Sequence, residues 1–422
     1  MMTSKKHYNE AYVWIWLPGE TDPIVAGRLE ADNGNLLFNY GKSYLERAND
    51  TKPAMPIYEP ELPLEAGTLP LLEGLSMPGC IRDGAPDAWG RRVIINRKLG
   101  LKGTDTDTNV LDELTYLLES GSDRIGALDF QLSPSNYEPR SATNVPLEEL
   151  LNSAARVEKG VPLTPELDIA LYHGTAIGGA RPKALVEDSE KKYVAKFSSS
   201  TDIYSVVKAE FIAMRLADLV GLDVAPVKLE TAANKDVLLV ERFDRENVEQ
   251  GWTRKSMVSA LTLFGLDDMM ARYASYETMA EIIRYRFTDP KDTLKELFSR
   301  LVFNILCGNT DDHARNHAAF WDGKELTLTP AYDICPQSRS GNEASQAMLI
   351  SGNNNLSQLK YCLETAHNFQ LSEGDALLIF ENQKSVIEEK WNSVCDEAKL
   401  SEIDRKLLWG RQFLNAFSTA TD

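Results

Sequence analysis

Leu294, Leu297, Phe298, Leu301, Val302 and Ile305 recur at the spacing of one helical face, and the stripe ends at Gly308. Asp289-Pro290 supplies an N-cap and a first-turn residue for that helix, and glycine suits the left-handed position that closes one. The next eight residues are Asn309-Thr310-Asp311-Asp312-His313-Ala314-Arg315-Asn316. A helix buried by its stripe therefore hands a loop dense in Asp, Asn and His to a fixed place, and rigid scaffolds present chemistry in this way. The rest of the fold has to be built around that loop.

A chain of 422 residues exceeds one ordinary core, so two or three packed units are expected. Residues 11 to about 45 carry short apolar runs (Trp14-Ile15-Trp16-Leu17, Ile24-Val25-Ala26-Gly27, Leu36-Leu37-Phe38-Asn39-Tyr40) separated by turn residues, the pattern of a small antiparallel β unit. Pro53 to Pro70 reads as extended connection, and Asp83 to Arg92 opens a helical segment with Pro86 in its first turn. The polar, Pro/Ser-rich stretch 133–150 marks a domain edge. Beyond it come a glycine turn at 177–183, strands at 184–187 and 192–197, a helix from about Ser205 to Leu219 stopped by Gly221, and a strand at 237–243. After Trp252 the chain is mostly helical, with two amphipathic helices closing it. The order predicts an α+β, two-lobed protein with units at 1–150, 151–248 and 249–422.

Asp311 and Asn316 stand five positions apart, and Tyr332-Asp333 comes at the end of a strand-like run from Leu326. An Asp, an Asn five residues on and a later Asp is the spacing by which protein kinases set a catalytic base and two Mg²⁺ ligands. Asp311 would take the proton of the acceptor hydroxyl, while Asn316 and Asp333 offer oxygen to a hard cation. Upstream, Glu210 interrupts the apolar face formed by Val206, Ala213 and Ala217, so it needs a buried cation, and Lys196 at the end of the preceding strand supplies one. Such a Lys–Glu pair sets a lysine against the nucleotide phosphates in kinases. Gly178-Gly179 fits neither a Walker loop nor G-x-G-x-x-G; its N–H groups could form an anion nest with Lys183 close behind. Two other readings stay open. His313 and His317, with a neighbouring Asp, have metal-ligand spacing for a hydrolase, and a kinase-like scaffold could hold a DNA-binding partner without catalysis.

Gly178-Gly179-Ala180-Arg181-Pro182-Lys183-Ala184, Val240-Glu241-Arg242-Phe243-Asp244-Arg245, Thr310 to Asn316 and Ala331-Tyr332-Asp333-Ile334 together resemble the HipA family of bacterial serine/threonine kinases, toxins of type II toxin–antitoxin modules. Asp87-Ala88-Trp89-Gly90-Arg91-Arg92 resembles that family's N-terminal domain. The resemblance implies a bilobal protein-kinase-like fold with an added β-rich N-terminal domain, and ATP and Mg²⁺ as cofactors. It implies Asp311 as base, Lys196 and Glu210 as the catalytic pair, Asn316 and Asp333 on the metal, and Gly178 to Lys183 over the phosphates. It places Glu241 and Phe243 at adenine, Asp244 at ribose, and Arg242, His313, Ala314, Arg315 and Tyr332 on the nucleotide side. It further implies a protein substrate, with aminoacyl-tRNA synthetases as the family precedent, and a helix-turn-helix antitoxin through which DNA is met indirectly. Family members silence themselves by phosphorylating a loop serine. The matching position here is Ala176, and Thr175 beside it is the substitute to consider.

The net charge of −18 argues against direct nucleic-acid binding over the whole surface. No run of about 18 apolar residues appears, so no membrane span is expected. Ala11 to Leu17 reads as strand and not as a signal peptide, and the expectation is a cytoplasmic chain. The five cysteines are odd in number, widely spaced and without a C-x-x-C, so disulfide and zinc frameworks are not expected, and Cys307 and Cys335 read as small buried hydrophobes.

Overall fold

The computed structural model describes residues 8–99, 107–140, 145–159, 161, 173–199, 202–339 and 341–420; Met1 to Lys6 lie outside them. The N-terminal unit is a four-stranded antiparallel sheet, order β3-β2-β1-β4, from β1 (Glu10–Ile15), β2 (Ile24–Asp32), β3 (Asn35–Tyr40) and β4 (Leu128–Gln131). The three sequential strands fall on the apolar runs read in the sequence; β3 alternates buried with less buried residues, while β1 shifts register between Val13 and Trp14 and ends in three buried residues. β4 does not alternate: all four of its residues are buried, so no period of two marks it. Residues 53–70 run without helix or strand, as read.

Three helices frame the lobe that carries the glycine turn: α1 (Ala88–Leu99), α2 (Leu147–Glu158) and α3 (Val206–Leu219). α1 starts two residues beyond Pro86, and α2 runs through the boundary read at residue 150. A second antiparallel sheet, order β5-β6-β8-β7, is built from β5 (Lys183–Glu187), β6 (Lys192–Phe197), β7 (Val227–Ala232) and β8 (Lys235–Glu241). Trp89 of α1 is fully buried in a cluster with Val93, Leu150 and Leu151, and with Ala184, Phe197 and Val237 of this sheet. Truncating an indole so placed costs about 3–5 kcal/mol. The indole thereby packs the N-terminal unit against the glycine-turn lobe.

A two-stranded ribbon, β9 (Arg245–Val248) and β10 (Gly251–Arg254), leads into the helical lobe. There α4 (Tyr276–Arg286) packs on α5 (Pro290–Cys307), whose stripe from Leu294 to Ile305 is entirely buried. Gly308 caps α5 in the left-handed region at φ 74°, where an added Cβ would also meet the Gln412 backbone. Asp289 precedes Pro290 as read, but its side chain makes no capping hydrogen bond. A three-stranded sheet, β11 (Met257–Ser259), β12 (Ala318–Trp321) and β13 (Leu326–Leu328), brackets the polar loop. Three helices close the described chain where two were expected: Leu359–Thr365, α6 (Glu373–Glu397) and Glu402–Leu408. All five cysteines are buried and unpaired.

Candidate active site

One cavity of about 390 Å³ opens between the second sheet, the polar loop and the N-terminal unit. Of the residues singled out from sequence, Gly178, Gly179, Ala180, Lys183, Lys196, Glu241, Arg242, Phe243, Asp244, His313, Arg315, Asn316, Tyr332 and Asp333 line it. Asp311 is exposed and is not among the lining residues, and Glu210 is reached through its hydrogen bond from Lys196.

Lys196 is the electrostatic centre. Its Nζ donates to Glu210 Oε1 at 2.5 Å and to Asp333 Oδ1. Glu210 on α3 is 2% exposed, and burial raises its pKa against the pull of Lys196. Burial alone would lower the Lys196 pKa, yet the two carboxylates reverse that and hold the ammonium charged. Asp333 is held below the ordinary carboxylate range, because Lys196 and Lys183 outweigh its desolvation. β13 stops at Leu328, so Asp333 lies beyond the strand, on left-handed backbone at φ 59°. A non-glycine residue rarely sits there, and such strain collects at functional positions.

The polar loop turns tightly. His313 N–H donates to the Asp311 carbonyl, and Asn316 N–H to the His313 carbonyl. Asn316 Nδ2 donates to Asp311 O at 3.1 Å, which leaves its Oδ1 as the available acceptor. Burial raises the Asp311 pKa while His313 lowers it. Asp312 does a different job: Oδ1 meets His317 Nε2 at 2.9 Å, Oδ2 accepts from the Tyr276 hydroxyl, and all three side chains are buried. The segment Ala314–Asn316 is a 3₁₀ turn, so His317 is committed to Asp312 while His313 faces the cavity. The two histidines do not form the helical pair that a hydrolase reading requires, and no cluster of three His, Cys, Asp or Glu able to hold a metal occurs among the described residues.

Asn316 and Asp333 place an amide oxygen and a carboxylate on one cavity wall, a donor set that suits Mg²⁺ completed by phosphate and water. Phe243, also in the lining, packs on Tyr332 and Phe320, with ring centroids 5.7 and 5.9 Å away. Its N–H has no backbone acceptor among the described residues.

Several expectations need correction. The Asp244 carboxylate does not await a ribose: it accepts from Arg242, Arg245 and the Gly126 N–H, and is 2% exposed. Glu241 turns its side chain to Lys191 at 2.6 Å, and its N–H to Pro226. Arg242 reaches Asp123 and Asp244. Arg181 pairs with Asp202 at 2.5 Å, Pro182 receives the Phe197 N–H, and Ala314 is buried, so none of these three lines the cavity. Thr175 is fully buried with Oγ1 accepting from Gly121 N–H, and a Cβ on Gly90 would overlap its carbonyl, so its hydroxyl is closed to modification in this arrangement.

The third wall was not foreseen. Arg82, Asp83, Asp87, Ile125 and Leu128, all from the N-terminal unit, complete the cavity. Asp83 accepts from Ser259 N and Oγ at 2.7 Å each, and Asp87 accepts from Gly179 N–H at 2.7 Å and from Arg315 at 2.9 Å.

Together the fold and this site define a two-lobed, protein-kinase-like chain with an N-terminal domain built into its cleft. A family model described as the HipA N-terminal domain matches residues 16–131, and one described as the HipA-like C-terminal domain matches residues 175–391. The chain belongs to the HipA family. A Sinorhizobium fredii protein named "Putative kinase Y4mE" is 26% identical over 343 residues, 76% of each chain. The Shewanella oneidensis "Serine/threonine-protein kinase toxin HipA" is 26% identical over 183 residues, 38% of this chain and 42% of that one. A solved Shewanella oneidensis complex of HipA, HipB and operator DNA superimposes with a TM-score of 0.69 at 19% identity, over 97% of this chain and 99% of its counterpart. No helix among the described residues is long and apolar enough to cross a membrane.

Proposed function

We propose that this chain is an ATP- and Mg²⁺-dependent protein serine/threonine kinase. The observation that carries the reading is Lys196, held between Glu210 and Asp333 on the wall of a cavity that also presents Asn316 and the glycine turn. Phosphoryl transfer asks the protein for positioning and charge, with little covalent chemistry. Lys196 would meet the phosphates. Phe243 and Tyr332 form an apolar face for adenine, with the free Phe243 N–H beside it. The acceptor hydroxyl oxygen bonds to the terminal phosphorus as the bridging P–O bond breaks and ADP leaves, and the hydroxyl proton passes to Asp311. Asp311 is exposed, so an acceptor hydroxyl can reach its carboxylate. Mg²⁺ on Asn316 and Asp333 supplies charge neutralisation.

The relatives' names support a toxin role, with a protein hydroxyl as acceptor and a small DNA-binding antitoxin as partner. Incubating the purified protein with labelled ATP and a cell lysate tests the activity. Wild type should label protein serine or threonine, and Asp311→Gln should lose about 10²–10⁴-fold in rate with its melting temperature unchanged. Full labelling by Asp311→Gln would reject the assigned base.

A further inference from the structure

Arg82 ends the one-turn helix Gly79–Arg82 and lines the cavity from the N-terminal domain. Its guanidinium makes no hydrogen bond or ion pair with a described residue, and its Nε and Nη2 are buried without a partner. The other cavity-lining cations are all engaged. Lys196 holds Glu210 and Asp333, Lys183 holds the Gly178 carbonyl, Arg315 holds Asp87 and Asp268, and Arg242 holds Asp123 and Asp244.

Asp83, next in the chain, is the neighbouring counter-charge. Both of its oxygens are turned to Ser259, so it contributes field and no hydrogen bond. That anchor also locates Arg82. Ser259 pairs with Ala318, two residues past Asn316, so Arg82 stands at the catalytic-loop end of the cavity. A guanidinium stays charged and presents five donors in a planar fork, and buried donors left unmatched are unfavourable. A phosphate oxygen matches both the charge and the fork.

We propose that Arg82 is a phosphate-recognising residue of the nucleotide site, contributed by the N-terminal domain. The inference rests on the kinase reading and deepens it: the N-terminal domain completes the nucleotide cleft with a residue of its own.

Calorimetric titration of the full-length protein with adenosine, ADP and ATP in the presence of Mg²⁺ tests this, using wild type, Arg82→Ala and Arg82→Lys. Arg82→Ala should weaken ADP and ATP by roughly 10-fold and leave adenosine unchanged. Arg82→Lys should recover part of the loss, keeping the charge without the fork. Equal losses for adenosine and ADP would make Arg82 a packing residue and overturn the proposal. Unchanged nucleotide affinity with a raised KM for the protein acceptor would assign Arg82 to the substrate and overturn it equally. A wild type that binds neither ADP nor ATP removes the kinase reading and this inference with it. Nucleotide binding that is normal in Arg82→Ala removes the inference alone.

Discussion

The carboxylate of Asp87 accepts the backbone N–H of Gly179 across 92 residues of sequence, at 2.7 Å. A turn that could nest an anion therefore already holds one, and it belongs to the N-terminal domain. Its second oxygen takes the Arg315 guanidinium of the polar loop at 2.9 Å, so one side chain ties the glycine turn to the loop bearing Asp311. α1 adds to this grip: Trp89 Nε1 donates to the Lys183 carbonyl at 3.1 Å, and Arg92 donates to the Ala180 carbonyl at 2.5 Å.

Asp87→Ala should loosen the turn without unfolding the domain. Gly179 N–H and Arg315 each lose an acceptor at a half-exposed position, and one such bond contributes about 1 kcal/mol. Hydrogen exchange of the amides of 178–181 and Lys183 should accelerate by roughly 5-fold to 10-fold, with protection of α5 unchanged. Unaltered exchange in the turn would show that Trp89 and Arg92 hold it unaided.

Lys196→Met should destabilise the protein in a pH-dependent way. The substitution leaves Glu210 and Asp333 as neighbouring carboxylates without their cation, and breaking a buried pair costs about 3–5 kcal/mol. Glu210 already has a raised pKa in the folded state, and in the variant it rises further. The folded variant then binds a proton more readily than the unfolded chain, so its stability is highest at low pH and is lost as pH rises through the folded value. Urea titrations should find the largest deficit at alkaline pH, and Lys196→Met with Glu210→Gln should recover most of it. A deficit independent of pH would remove the carboxylate pair as its cause.

The pair was legible in sequence because Glu210 breaks an apolar helical face, and a buried carboxylate has few alternatives to a lysine. The five-residue step from Asp311 to Asn316 was legible because both residues belong to one tight loop, where Asn316 Nδ2 bonds the Asp311 carbonyl. Asp244 misled: nothing near it in sequence shows that Arg242 and Arg245 are held in common by Asp123, more than a hundred residues upstream. The N-terminal wall was hidden for the same reason. Arg82, Asp83 and Asp87 look like a turn entering a helix, and only the docking of Trp89 reveals that they face a cavity. Sequence exposed the groups whose partners lie within one element or the next, and concealed those whose partners arrive by domain packing.

That packing has an ionic clasp, and Asp123→Ala should open it. Asp123 accepts from Arg242 at 2.9 Å and from Arg245 at 2.9 Å, and both guanidiniums are almost fully buried. Removing the shared acceptor leaves buried cations short of a partner, at about 3–5 kcal/mol. Burial would raise the Asp123 pKa, but Arg242 and Arg245 hold it well below the ordinary range, and Asp244 is depressed by the same two residues. A depressed carboxylate stabilises the fold above its unfolded pKa, and that contribution disappears as pH falls through the folded value. Wild type should therefore lose stability steeply on acidification below about pH 4, and Asp123→Ala should show a shallower slope there from a lower plateau. Parallel curves would mean that Asp123 carries no linked proton.

Lys183 gives the alkaline counterpart. Burial and the nearby charge of Lys196 pull its pKa down to about 8, against the pull of Asp333, Asp87 and Glu210. Its Nζ donates to the Gly178 carbonyl and sits within the turn that would cover the phosphates. Below that value the ammonium is charged and can meet a polyphosphate; above it the neutral amine cannot, while Lys196 remains charged. Affinity for Mg²⁺·ATP should thus fall as pH rises through about 8, and Lys183→Gln should bind more weakly but with a flat profile over the same range. Bound polyphosphate stabilises the ammonium, so nucleotide binding near this pH should also take up a proton. Titrations in buffers of different ionisation enthalpy would reveal the uptake, and Lys183→Gln should abolish it. A wild-type profile as flat as that of the variant would show that Lys183 stays charged throughout and that Lys196 alone answers the phosphates.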